Sequence, residues 1–71
     1  MTERERGQYR FAAKEGAGAE FWIAAEPVGD DSIGSLDGRI LGFELWPQAT
    51  MNEAKALADA LNQNIWAITL T

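Results

Sequence analysis

Residues 50–65 of this chain have the spacing of an amphipathic helix, and this feature limits the possible folds most. Thr50 and Glu53 predict a capping box, in which each side chain accepts a hydrogen bond from an otherwise unpaired backbone N–H. Apolar residues then recur every three or four positions: Ala54, Leu57, Ala58, Leu61 and Ile65. One such helix covers only one face of a sheet, so the other face is expected to stay open.

This helix makes two further predictions. Leu57 and Leu61 should be core residues, because they lie in the middle of the apolar stripe. The outer side of the helix is predicted to carry Lys55, Asp59, Asn62 and Gln63. Residues 62–64, which include two asparagines, should end the helix, since asparagine tolerates the left-handed conformation common at helix ends.

The rest of the chain has the alternation of apolar and polar residues that is typical of half-buried strands. Alternation predicts strands at residues 8–14, 21–26, 39–46 and 66–71, and residues 15–20 (EGAGAE) predict a tight hairpin turn. The fold class is therefore α+β, in the order β-β-β-α-β. We expect an antiparallel three-stranded meander, one amphipathic helix packed on one face, and a C-terminal fourth strand.

The domain organisation follows from the length. A chain of 71 residues makes a single domain, residues 1–71, close to the lower size limit for folding unaided. Residues 1–7 are expected to form a flexible arm. Residues 27–39 (PVGDDSIGSLDGR) predict a long acidic loop, which Ile33 and Leu36 should attach to the body.

Two residue types are missing, and their absence restricts the chemistry. The sequence has no cysteine and no histidine, which excludes disulfides, thiolate metal sites and catalysis by Ser-His-Asp or Cys-His groups. We therefore expect no enzyme activity, no cofactor and no metal site. Oligomerisation or partner binding remains as a supplement to the small core.

The loop aspartates, Asp30, Asp31 and Asp37, have two interpretations. Carboxylate oxygens are the ligands that calcium prefers, but the spacing does not fit a calcium-binding loop and the bidentate glutamate is missing. A solvated acidic loop that faces a basic partner is the preferred interpretation.

Charge is distributed unevenly along the chain. The net charge is −5; residues 1–14 hold four basic and two acidic residues, whereas residues 15–71 hold two basic and nine acidic residues. An acidic body does not suit direct nucleic-acid binding, and it serves either solubility or contact with a cationic groove. No apolar run is long enough for a membrane span, and residues 1–10 (MTERERGQYR) do not have the pattern of a signal peptide, so a cytoplasmic location is expected.

Two tryptophans mark the candidate site. If Phe21 and Phe43 face the helix, then Trp22 and Trp46 should lie on the open face by the two-residue period of a strand. Arg10 and Glu44 are expected beside them, and together they form the predicted centre of a protein–protein or self-association contact. Two alternatives stay open: the loop at residues 27–39 folds over this face, or the indoles form a sugar-binding platform.

The chain also resembles known proteins in its helix, TMNEAKALADALNQNI, and in the preceding LGFEL strand. The helix is similar to the T-x-x-E-A-x-x-L-A-x-x-L-N-x-x-I helix of many small uncharacterised bacterial and phage-encoded proteins. An acidic domain of this size without histidine or cysteine also looks like some anti-CRISPR inhibitors, which bind cationic nucleic-acid machines. The resemblance implies a host-cytoplasmic inhibitor if the chain is phage-encoded, and it transfers no site residue.

The sequence thus favours a non-enzymatic, small acidic binding protein that occupies a macromolecular partner. The expected partner is a protein with a basic surface, with no direct contact to nucleic acid or membrane. The alternative function is that of an obligate homo-oligomeric structural protein, such as a homodimer, that pairs through its open sheet face.

Overall fold

The computed structural model describes residues 4–71, and it confirms an α+β fold with a single helix and antiparallel strands. The strands are β1 (Glu5–Gly7), β2 (Tyr9–Glu15), β3 (Phe21–Pro27), β4 (Leu41–Glu44) and β5 (Ile68–Leu70). The helix α1 spans Met51–Asn64, and a single 3-10 turn occupies Gly34–Leu36.

The strands form two sheets, whereas the sequence predicted one. β2, β3 and β4 make the expected antiparallel meander, but β5 pairs with β1 in a separate two-stranded sheet. The predicted C-terminal strand is present as β5, but it lies outside the meander and pairs with the additional short strand β1. Of the segment predicted to form a flexible arm, residues 5–7 form β1, and residues 1–3 lie outside the described residues.

β4 is shorter than the predicted strand at residues 39–46. Before it, the Arg39 N–H donates to the Leu36 C=O at 3.0 Å, and after it the Ala49 N–H donates to the Trp46 C=O at 2.9 Å. These two turns divert the chain at both ends of the strand. Trp46 consequently lies outside the sheet, so the strand parity that predicted its direction does not apply to it.

The helix begins and packs as its sequence predicts, but its deepest residues are the small ones. The capping box between Thr50 and Glu53 is present, and Ala54 and Ala58 are buried against a core that includes Phe11. Small side chains let a helix approach a sheet closely, and α1 packs mainly on β2 and less on β3. The helix therefore lies to one side of the sheet, away from β4.

Because the helix lies in this position, the prediction that Leu57 and Leu61 are both core residues is wrong for Leu57. Leu57 is 40% exposed, while Leu61 is half-buried and packs against the core. Leu57 lies on the side of the helix that faces β4, where the helix leaves the sheet uncovered. The apolar stripe of α1 is thus only partly used within the chain.

Asn62, predicted to face outward, instead binds the edge of β2. The Phe11 N–H donates to Asn62 Oδ1 at 2.8 Å, and Asn62 Nδ2 donates to the Phe11 C=O at 2.8 Å. The carboxamide thus pairs with the strand edge as a residue of another strand would. Asn62 therefore occupies the edge of β2 at Phe11.

The helix also ends differently from the prediction. Ile65, which follows the last helical residue, has an extended backbone with φ −104°, so no asparagine adopts the left-handed conformation. Asn64 instead donates from Nδ2 to the Ala60 C=O at 2.7 Å, a bond within its own last turn.

The long loop is anchored on the helix-side face, at the β1 end of the sheet. Ile33 is 1% exposed, belongs to the core cluster, and donates its N–H to the Tyr9 hydroxyl at 3.0 Å. A Cβ at Gly7 would lie 2.7 Å from the Ser32 and Ile33 backbone, so only glycine permits this approach. The Ser35 N–H adds a 2.7 Å bond to Glu5 Oε1. Ile33 therefore attaches the loop to the core, as predicted.

Candidate functional site

The helix-free face of the sheet is packed by its own tryptophan. Trp22 is half-buried, and its ring atoms lie 3.5 Å from the position that a Cβ would take at Gly42 of the neighbouring strand. Ala24, on the same face, is fully buried. Trp22 thus contributes to packing within the sheet. It also lines a depression of about 260 Å³ with Glu44 and Leu45, and Trp46 does not line that depression.

Trp46 lies on a turn between the last sheet strand and the helix. Residues 46–49 form this turn, with Pro47 second, the position at which its fixed φ favours a turn. Thr50 caps the helix immediately afterwards. The Trp46 side chain is 80% exposed, which makes it the most exposed large apolar side chain of the described residues.

A depression of about 590 Å³ next to this turn is termed the Trp46 pocket. It is lined by Glu44, Leu45, Trp46, Ala49, Glu53 and Leu57. An indole and two carboxylates in one depression form a suitable environment for a cationic side chain, because a cation binds the face of an aromatic ring. One Glu53 oxygen accepts the Thr50 N–H at 2.9 Å in the capping box.

A second depression, termed the β4 groove, lies between α1 and β4 on the helix side of the sheet. Its volume is about 280 Å³ and its lining is entirely apolar: Phe11, Ile23, Phe43, Leu57, Leu61, Ile65 and Ile68. Phe43 is 44% exposed although it lies on the core face, with its ring centroid 6.2 Å from that of Phe11. Hydrophobic spacing in the sequence did not predict this groove. The only sequence feature that indicates it is the presence of alanines in the apolar stripe of α1.

The remaining predicted site residues are spread across the molecule. Arg10 is exposed and lies opposite Glu26 in the sheet, while Glu44 is exposed and lies opposite Trp22. Asp30, Asp31 and Asp37 are also exposed. They belong to the loop that follows Pro27, at the opposite end of the sheet from Trp22 and Trp46. Of the seven predicted residues, only Glu44 and Trp46 line the Trp46 pocket.

The third tryptophan provides an internal comparison. Trp66 is 69% exposed, and the Arg6 guanidinium lies 4.6 Å from its ring centroid. Within residues 4–71, Arg6 on Trp66 is the only stacking of this kind, so no Arg or Lys stacks on Trp46. The chain therefore has one exposed indole with a cation over it and one without.

Two negative findings apply to the part of the chain that the structure describes. No three Asp or Glu side chains within residues 4–71 lie close enough together to hold a metal ion. Over the same residues, no helix is both long enough and apolar enough to cross a membrane.

The fold and its two depressions define a small α+β protein with an acidic, aromatic pocket and an apolar groove. Comparison with known proteins gives no further identification, since no protein-family model, curated protein or solved structure matches this chain.

Proposed function

We propose that this chain is a non-enzymatic binding protein that occupies a protein partner with a basic surface through the Trp46 pocket. The observation that supports this most is the combination of an 80% exposed indole with the carboxylates of Glu44 and Glu53. An Arg or Lys side chain of the partner lies over the Trp46 ring and contacts these carboxylates.

The charge of the chain supports the same partner. Residues 15–71 carry nine acidic and two basic residues, so the body attracts a cationic surface over distances of about a Debye length, roughly 8–10 Å at physiological salt. A nucleic-acid-binding machine has such a surface, and it is the partner class that the resemblance to anti-CRISPR inhibitors favours. The inhibitor role, the phage origin and the cytoplasmic location belong to this proposal.

The alternative function, homo-oligomerisation through the helix-free sheet face, receives less support. Trp22 is packed on Gly42 of its own sheet, and Ala24 beside it is fully buried. The Trp22 indole is therefore partly used for packing within its own chain.

The test is affinity capture with the whole chain as bait, identification of the partner by mass spectrometry, and titration of the purified partner against variants. Trp46→Ala should weaken binding by at least tenfold, because exposed aromatic anchors at interfaces contribute about 2 kcal/mol or more. Trp66→Ala is the matched control, since its indole is similarly exposed but is already covered by Arg6. Equal losses for the two variants contradict the proposal.

A charge test separates the pocket from simple apolar contact. Glu53→Gln removes the carboxylate charge but keeps the capping box, because glutamine accepts the same backbone hydrogen bond. The double variant Glu44→Gln/Glu53→Gln should weaken binding and reduce its salt dependence while the melting temperature stays within a few degrees. Unchanged salt dependence excludes these carboxylates from the contact.

A further inference from the structure

The outer edge of β4 carries backbone groups that point away from the sheet. In antiparallel strands, the pairs alternate between those that exchange hydrogen bonds and those whose N–H and C=O point outward. Phe11 gives both of its groups to Asn62, so its pair with Ala25 is of the second kind. Ala25 therefore exchanges hydrogen bonds with Leu41 on its other side. Along β4, the N–H and C=O groups of every second residue point away from the sheet, beginning with the residue after Leu41.

Those outward residues are Gly42 and Glu44. No strand of the described chain pairs with this edge, whereas Asn62 binds the opposite edge at Phe11. Natural proteins protect exposed edges with proline, a bulge, charged side chains or a short strand. Leu41–Glu44 (LGFE) is short and carries one charge, Glu44, but it contains no proline or lysine. The backbone of this edge is therefore accessible to another strand.

The β4 groove lies directly beside this available edge. Phe43 alternates with Gly42 and Glu44 and lies on the helix side, where Leu57 and Ile65 are 40% and 37% exposed. An apolar surface that follows a strand edge suits an added strand, because main-chain hydrogen bonds and apolar side-chain burial then occur together.

The total surface is also large for a chain of this mass. The protein exposes 5359 Å², whereas a compact monomer of 7.8 kDa exposes about 4,400 Å². This excess belongs to the whole surface; beside the β4 edge it includes the exposed apolar side chains of Phe43, Leu57 and Ile65. A second copy brings the same three side chains and the same strand edge to the contact.

We infer that β4 pairs antiparallel with β4 of a second copy, which joins the two meanders into one six-stranded sheet and closes the β4 grooves. The two-fold axis passes beside Phe43, so each Phe43 lies opposite the other copy's Phe43 and fills its groove. Gly42 then hydrogen-bonds opposite Glu44 of the second copy. A register centred on Glu44 is disfavoured because it places two carboxylates directly opposite each other.

The two proposals share residues, since Leu57 lines both the Trp46 pocket and the β4 groove and Glu44 lies in β4. The first test of the pairing, the mass of the whole chain in solution, needs no other protein and therefore separates the two. Light scattering after size exclusion, or sedimentation equilibrium, should give twice 7.8 kDa at micromolar concentrations. Phe43→Lys places a charge in the groove and should shift the dimer to monomer by at least a hundredfold in Kd. Val28→Lys is the matched control, because Val28 has a similar exposed fraction, 47%, and lies away from β4.

Two further variants test the backbone pairing and the register. Gly42→Pro removes one outward N–H and should also give monomer, since proline is tolerated in an edge strand when its missing N–H faces solvent. Phe43→Cys should form a covalent dimer on oxidation, because a directly opposite pair has a Cα separation of about 4.5 Å, within disulfide range. The native chain has no cysteine to compete.

Three outcomes overturn the inference. One is a monomeric mass for the native chain at all concentrations. Another is a dimer that Phe43→Lys and Val28→Lys affect equally. The third is cross-linking of Val28→Cys as fast as Phe43→Cys. Circular dichroism of each variant shows whether it is folded, and if Gly42→Pro does not fold, the cross-linking comparison still decides.

Discussion

Replacement of Asn62 by alanine removes the contact that fixes the end of α1 to the sheet. Its carboxamide makes two 2.8 Å hydrogen bonds, one from the Phe11 N–H and one to the Phe11 C=O, in a partly buried position. Asn62→Ala leaves both backbone groups without their partner. The helix also loses its tie to β2, fifty-one residues away in sequence.

The expected magnitude follows from these two bonds. A hydrogen bond contributes about 1 kcal/mol net, and a buried group left without a partner costs about 1–3 kcal/mol. Because the site is only partly buried, water can replace part of the loss, so we expect Asn62→Ala to cost about 2–3 kcal/mol. For a domain of this size, 1 kcal/mol corresponds to about 4–8 °C in melting temperature, so the decrease should be about 10–20 °C.

The assay is urea unfolding followed by circular dichroism, at one fixed protein concentration so that association does not alter the comparison. Asn64→Ala is the matched control, because Asn64 makes one exposed bond to its own helix, at 2.7 Å to the Ala60 C=O. If the two variants lose similar stability, within about 0.5 kcal/mol, then the double bond to Phe11 does not hold the helix and the reasoning is wrong.

Three further predictions concern packing and backbone conformation. Leu61→Ala should cost about 1–2 kcal/mol, because Leu61 packs on the core, and Leu57→Ala less than about 1 kcal/mol, because Leu57 is 40% exposed. Thermal unfolding of dilute samples should therefore give the lower melting temperature for Leu61→Ala. Ala19→Gly should stabilise by about 0.5–1 kcal/mol, because Ala19 has φ 64°; a lower melting temperature contradicts this. Gly7→Ala should cost about 2 kcal/mol or more in urea unfolding by clashing with the loop backbone, and Gly42→Ala, with ordinary 3.5 Å contacts, should be nearly neutral.

Local patterns in the sequence predicted the elements of the fold but not how they are placed. The capping box of Thr50 and Glu53 and the strand alternation around Phe11 and Ile23 depend on near neighbours, so they are readable in one chain. The helix position depends instead on Ala54 and Ala58 fitting closely over β2, a contact between distant segments. Hydrophobic spacing alone could not show that β4 stays partly uncovered.

The candidate site was harder to predict for the same reason. Trp46 was assigned to a strand, and ladder parity then placed it with Trp22; the turn that begins at Trp46 removes it from the ladder. The strand ends at Glu44, two residues earlier than predicted, and beyond a strand end the two-residue alternation no longer sets the direction of a side chain. No sequence pattern near Asn62 indicates that it binds β2. Its partner is the backbone of Phe11, and any residue type at that position has the same N–H and C=O groups.

The pairing of β1 with β5 has a consequence for folding kinetics and for native-state opening. Glu5 lies opposite Leu70 and Gly7 opposite Ile68, so these partners are separated by about sixty residues. Closing a loop of that length costs roughly 3–4 kcal/mol in chain entropy, for a contact of only three residues in each strand. The meander and α1 should therefore form before this pair, and the amides of β1 and β5 should exchange with solvent faster than those of β3 by opening without global unfolding.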